Sequence, residues 1–104
     1  MKHQKEIKQL FTKCFGKMPE EMFALPPTAS NRLYYRLKTG EESAIGAYNP
    51  DRSENDAFIY ISEKLKNAGV NVPQVYSSNK EENIYLLQDI GDIKLLDLVE
   101  KYRK

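Results

Sequence analysis

Arg32 and Arg36 are the two residues whose type and spacing could do chemistry most readily. Because side chains alternate along a strand, a strand over residues 32–37 would place both guanidinium groups and Tyr34 on one face. An aromatic ring between two cations is a known way to bind single-stranded nucleic acid. However, 16 Lys and Arg against 15 Asp and Glu give a net charge of only +1. We therefore expect no nucleic-acid partner, since such binders carry a marked excess of positive charge.

Cys14 and His3 are the only cysteine and histidine in the chain, so they exclude a Cys/His zinc site made by this chain alone. A single cysteine also excludes an internal disulfide. Cys14 follows Ile7, Leu10 and Phe11 at helical spacing, and we expect it to be a small buried core residue.

The chain also lacks the apolar run of a membrane span and the apolar stretch of a signal peptide. These features predict a cytoplasmic protein with no membrane partner.

The elements that must position the two arginines follow from hydrophobic periodicity and from the turn residues between periodic segments. The pattern predicts a helix over about residues 2–15, hairpin strands over 32–37 and 43–48, a helix from Ser53 with a capping box to Asp56, an extended segment over 72–76, a strand over 84–88 and a last helix over 93–104. This order predicts an α+β fold in one domain, 1–104, with an antiparallel sheet and one main helix packed on it.

Two details of this pattern carry expectations of their own. Gly46 interrupts a strand, which predicts either a bulge or a close approach to the backbone. The last helix is apolar enough to need a partner, through Leu95, Leu96, Leu98, Val99 and Tyr102.

Four short strings occur in a suggestive order along the chain. They are residues 25–37 (LPPTASNRLYYRL), 44–50 (AIGAYNP), 54–58 (ENDAF), and 72–75 (VPQV) followed by 85–92 (YLLQDIGD). Together they resemble the N-terminal lobe of the aminoglycoside phosphotransferase family, and within it the bacterial amino-sugar kinase branch. The resemblance implies a protein-kinase-like N-terminal lobe that binds ATP.

The resemblance also implies roles for individual residues around the phosphates. The segment containing Ser30 and Asn31 corresponds to the phosphate-covering loop, although it holds no glycine. Gly46 stands where the kinase lysine would be. Arg32 and Arg36 are then the candidate cations, or alternatively solvated strand residues. Glu54 corresponds to the C-helix glutamate, or alternatively stabilises the helix N-terminus by its charge.

The resemblance implies that the adenine base of ATP binds at the end of the predicted strand over residues 84–88. Backbone groups of Gln88, Asp89 and Ile90 would bind the adenine edge, and Ala44 would contact its ring; the alternative is an ordinary connector. The family's catalytic and metal-binding residues lie in its C-terminal lobe. We therefore expect magnesium only with a complete C-lobe, and no kinase activity from this 104-residue chain alone.

The sequence leaves two alternative functions open. The first is the nucleotide-binding lobe of a small-molecule phosphotransferase. The second is a non-catalytic module of the same fold, which binds a C-lobe partner or a second copy of itself through the C-terminal helix.

Overall fold

A computed structural model of the chain describes residues 2–26 and 32–90. The described elements are α1 (Lys2–Phe15), β1 (Glu21–Ala24), β2 (Leu33–Thr39), β3 (Glu42–Tyr48), α2 (Arg52–Asn67), β4 (Val75–Asn79), a 3₁₀ turn (Lys80–Glu82) and β5 (Ile84–Gln88). Ser30, Asn31 and the predicted helix over 93–104 lie outside the described residues.

The five strands form one antiparallel sheet in the order β1-β2-β3-β5-β4. This confirms the predicted α+β class and the hairpin between β2 and β3. Gly40 closes that hairpin with a φ of 54°, a left-handed conformation that favours glycine. The sheet positions both ends of the predicted site, because β2 begins at the predicted loop and β5 ends at the predicted connector.

Helix α1 covers one face of the sheet, which we call the α1 face. Its apolar stripe packs on alternate residues of the central strands, giving a cluster of Ile7, Leu10, Phe11, Tyr35, Leu37, Ala44, Ile84 and Leu86. A Cβ added at Gly46 would overlap Cγ2 of Ile7. The glycine therefore allows a close approach of the helix, and β3 pairs through it in continuous register without a bulge.

Helix α2 packs on the opposite face, which we call the α2 face. Its cluster consists of Tyr34, Ile45, Ala47, Phe58, Val72, Tyr85 and Leu87. The helix begins one residue earlier than predicted, because Asp51 is the N-cap and accepts a hydrogen bond from the Glu54 amide at 3.1 Å. Ser53 Oγ donates to Asp51 at 2.8 Å, so the predicted capping box from Ser53 is wrong.

Three further expectations need correction. The sheet carries a helix on each face rather than one main helix, because both sides of the alternating strands are apolar. Cys14 is exposed. The stripe of α1 continues instead through Phe15, whose ring lies 4.6 Å from Phe11 and 5.6 Å from Tyr76. Strand β1 was not predicted, since its four residues carry too short a pattern.

Within the described ranges, no helix is both long and apolar enough to cross a membrane.

Candidate functional site

The two faces of the sheet separate the predicted nucleotide-binding residues. Arg36 pairs with Ile45 across the β2–β3 ladder and lies on the α2 face, together with Arg32 and the side chain of Asp89. Ala44 is fully buried in the cluster on the α1 face. Its side chain and those of the two arginines therefore project from opposite faces of the sheet.

Arg32 is 2% exposed and fixes the start of β2 to the neighbouring elements. Its Nε donates to Tyr85 Oη at 2.7 Å, and its Nη2 donates to the carbonyl of Glu54 at 3.3 Å. The guanidinium carbon lies 5.0 Å from the centroid of Phe58. Arg32 therefore joins the end of the predicted phosphate loop to β5 and to the first turn of α2, and it is not the solvated strand residue of the alternative interpretation.

Glu54 lies in that same first turn of α2. Its carboxylate accepts a hydrogen bond from Asn49 Nδ2 at 2.9 Å, while the Asn49 carbonyl accepts one from Asn55 Nδ2 at 2.8 Å. The end of β3 is thus tied to α2 by asparagine side chains. Arg32 and Glu54 meet through the Glu54 backbone carbonyl, so the helix is positioned without the lysine–glutamate pair of kinases.

Arg36 occupies the other end of the α2 face. Its Nε and Nη2 donate to the Asp89 carboxylate at 2.9 and 3.3 Å, and Ser43 Oγ donates to the same carboxylate at 2.9 Å. The side chains of Arg36 and Asp89 are 20% and 7% exposed. Four residues along a strand span about 13 Å, so Arg32 and Arg36 lie at opposite ends of the α2 face.

The first residue of the predicted connector, Gln88, already makes hydrogen bonds within the fold. The Gln88 amide donates to the Gln74 carbonyl at 2.8 Å, and Gln88 Oε1 accepts from the Gln74 amide at 3.1 Å. Gln88 is therefore anchored as the last residue of β5. A connector that binds a base edge would begin at Asp89 and Ile90.

Phe23 on β1 also lies on the α2 face, and it was missed from the sequence. It pairs with Arg36 across the β1–β2 ladder, so its side chain projects from the α2 face, and it is 44% exposed. The alternation of Phe23 with Leu25 could have indicated a strand, but two apolar residues beside a proline pair are a weak signal.

The larger cavities lie elsewhere. An open groove of about 820 Å³ runs between α1 and the β4–3₁₀ segment, and one of about 420 Å³ lies between the end of α2 and residues 73–75. A pocket of only about 60 Å³ lies at the base of the predicted loop, beside Arg32 and Tyr34. The predicted site is therefore an open face rather than a closed pocket among the described residues.

Two other features bear on the chemistry. No three His, Cys, Asp or Glu side chains in the described part of the chain come together as a metal site. Burial raises the pKa of Tyr76 above its ordinary value of 10.0, and the nearby charges of Cys14, Asp89 and Glu42 raise it further. Tyr76 itself packs against the α1 cluster.

Comparison with known proteins adds one relationship. The chain is 30% identical over 82 residues, 78% of its length, to an N-acetylmuramate/N-acetylglucosamine kinase of Pseudomonas aeruginosa. The chain is distantly related to an amino-sugar kinase. It spans about a quarter, 24%, of the length of that relative. No family model and no solved structure matches the chain.

Proposed function

We propose that this chain is the nucleotide-binding lobe of an ATP-dependent phosphotransferase that acts on amino sugars. The observation that carries the proposal is the 30% identity over 82 residues to the Pseudomonas kinase. The five-stranded antiparallel sheet, with α2 packed beside β5, is compatible with a small kinase-like lobe.

The positions of two arginines on the α2 face support the proposal. Arg32 lies where the predicted loop enters β2 and would meet the phosphate end of the nucleotide. Arg36 and Asp89 lie at the end of β5 and would meet the base end. Both guanidinium groups are held by hydrogen bonds in fixed orientations, which lowers the ordering cost of binding an anion or a planar ring.

The chemical step would need groups beyond these. Phosphoryl transfer depends on positioning and on neutralisation of charge by metal ions and cations. In this proposal magnesium and the acceptor sugar bind with a second lobe, and the present chain contributes the nucleotide site.

Titration of the isotopically labelled chain with ATP and ADP, followed by amide chemical shifts, tests the nucleotide site. We expect saturable shifts at residues 32–36 and 85–90, with dissociation constants in the millimolar range. The conservative variant Arg32→Lys should weaken binding about tenfold or more, because lysine cannot reproduce the two directed guanidinium bonds.

The matched control is Arg52→Lys, an exposed arginine at the start of α2. Arg52→Lys should leave the ATP affinity unchanged. An absence of saturable shifts at 20 mM ATP would contradict the proposal, as would shifts confined to residues of the α1 face. Phosphate release or transfer by the purified chain with ATP, magnesium and N-acetylglucosamine would contradict the assignment of chemistry to a second lobe.

A further inference from the structure

Asp89 is the residue at which the chain leaves the sheet, and its side chain turns back onto the sheet. Strand β5 ends at Gln88, and the Asp89 side chain is only 7% exposed. Arg36 of β2 donates to the Asp89 carboxylate through Nε at 2.9 Å and through Nη2 at 3.3 Å, and Ser43 of β3 donates through Oγ at 2.9 Å. One carboxylate is therefore bound by two strands other than the strand that it follows.

The register of the sheet explains how these groups meet. Ala44 of β3 pairs with Gln88 of β5. Because the two strands are antiparallel, Ser43 and Asp89 are the next residues in line and lie side by side. The side chain of Arg36 starts on β2 and crosses β3 to reach the same carboxylate. A bidentate arginine–carboxylate pair has a defined plane, so the Asp89 side chain is held in one orientation.

The residue before Asp89 is held from the other side. The Gln88 amide donates to the Gln74 carbonyl at 2.8 Å, and Gln88 Oε1 accepts from the Gln74 amide at 3.1 Å. The start of the connector is thus tied to the β4 side through Gln88 and to β2 and β3 through Asp89. A segment that is already ordered loses less conformational entropy when a ligand binds to it.

We propose that Arg36 and Ser43 are positioning residues of the nucleotide site, which hold the Asp89 carboxylate and thereby fix the backbone of Asp89 and Ile90 for the base. This inference rests on the proposed function. It gives Ser43 a role that the resemblance did not supply. It also moves Arg36 from the phosphates to the base end of the site, where Arg36 acts through Asp89 and not by direct contact with the ligand.

Ser43 offers the mildest test, because a single hydroxyl can be removed or kept. Ser43→Ala removes the donor, and Ser43→Thr keeps a hydroxyl on a residue that suits a strand. Ser43→Ala should weaken the binding of ATP and of adenosine about 3- to 10-fold, since the connector must then be ordered on binding. Ser43→Thr should bind both as the wild-type chain does. Inorganic tripolyphosphate should bind equally to all three proteins, because it lacks the base. Titrations followed by amide chemical shifts measure these affinities.

Arg36→Lys tests the other donor. Lysine keeps the positive charge but loses the bidentate geometry, so this variant should bind adenosine at least as weakly as Ser43→Ala. The matched control is Lys38→Gln, because Lys38 is an exposed cation two residues further along the same strand. Lys38→Gln should leave the affinity for adenosine unchanged.

Backbone ¹⁵N relaxation of the ligand-free proteins gives a readout that a general loss of stability would not move. The amides of Asp89 and Ile90 should be as rigid as those of β5 in the wild-type chain and in Ser43→Thr. They should become mobile on the picosecond-to-nanosecond timescale in Ser43→Ala and Arg36→Lys, while the amides of β5 stay rigid.

The outcomes separate the inference from the function on which it rests. If the wild-type chain binds ATP and adenosine, and Ser43→Ala and Arg36→Lys bind them equally well, the positioning role is wrong while the proposed function stands. Equal losses of adenosine and tripolyphosphate binding would also overturn the positioning role, because they would reflect damage to the whole lobe. So would weakened binding without any change in the mobility of residues 89 and 90. If the wild-type chain binds none of the three ligands, both the proposed function and this inference are wrong.

Discussion

Arg32 combines a full positive charge with almost complete burial. Such a group is stable in a protein interior only when its donors are satisfied. The hydroxyl of Tyr85, the carbonyl of Glu54 and the ring of Phe58 meet this need. These partners belong to β5 and to α2, so Arg32 contributes to the stability of the fold whatever ligand it binds.

Replacement of Arg32 by methionine should therefore lower the free energy of unfolding by about 2–3 kcal/mol, since the charged hydrogen bonds and the ring contact are lost together. Urea denaturation followed by circular dichroism measures this difference. The variant Arg52→Met removes an exposed arginine and should change stability by no more than about 0.5 kcal/mol. Equal stability of the two variants would show that the buried network contributes nothing.

The sequence predicted which residues share a face better than it predicted what lies against that face. Arg32, Tyr34 and Arg36 do alternate with Leu33 and Tyr35 as expected from a strand. Their partners come from segments more than ten residues away, Tyr85 and Asp89 among them, and periodicity carries no information about such pairs. This is why the burial of Arg32 and its contact with the Glu54 backbone were not predicted.

At the scale of the elements, the close packing of α1 on the sheet requires a residue without a side chain at one position of β3. Gly46 lies beneath Ile7, with Leu37 Cδ1 also close to the position that a Cβ would take. The sequence could indicate a close approach at Gly46 because a glycine inside a strand marks either a bulge or a near neighbour to the backbone. The identity of the approaching element could not be predicted, since a helix before the sheet can pack on either face.

The variant Gly46→Ala should lower the free energy of unfolding by about 1–3 kcal/mol, because the added methyl group forces α1 away from the sheet. Ile7→Ala removes the overlapping Cγ2 atom and leaves space for the new methyl group. In the Ile7→Ala background, Gly46→Ala should therefore cost much less. Thermal or urea denaturation of the four proteins measures this coupling, and purely additive effects would contradict the contact.

Two other elements show the limits of local patterns. Asp51 rather than Ser53 is the N-cap of α2, although both residue types are good N-caps, and the Asp51 amide also donates to Asn49 Oδ1 at 3.1 Å. The helical spacing predicts that Cys14 is buried, but Cys14 is exposed, and Phe15, the last residue of α1, packs against Tyr76 in its place. Small differences in helix rotation decide such end positions, and the heptad-like spacing does not resolve them.

At the scale of the whole molecule, the sheet separates two hydrophobic clusters. Phe11 lies in the α1 cluster and Phe58 in the α2 cluster, and the clusters share no side chains. The sequence predicted an N-terminal helix with an apolar face and one main helix packed on the sheet, but it did not indicate that the N-terminal helix covers the opposite face.

Because the two clusters lie on opposite faces, the effects of Phe11→Leu and Phe58→Leu on the free energy of unfolding should add within about 0.5 kcal/mol. Phe15→Leu paired with Phe11→Leu is the control, because those rings are 4.6 Å apart. That pair should show a coupling of about 0.5–1.5 kcal/mol. Denaturation midpoints of the single and double variants measure both quantities. A coupling above about 1 kcal/mol between Phe11 and Phe58 would show that the sheet transmits strain between its faces.

Strand β1 is an edge of the sheet, and a larger share of its residues is exposed than in any other described strand. It is four residues long, it pairs only with β2 within the described sheet, and three of its residues are exposed. Short, solvated edges lie at the low end of the range of local opening free energies. The backbone amides of β1 should therefore exchange with solvent well before those of β3 and β5.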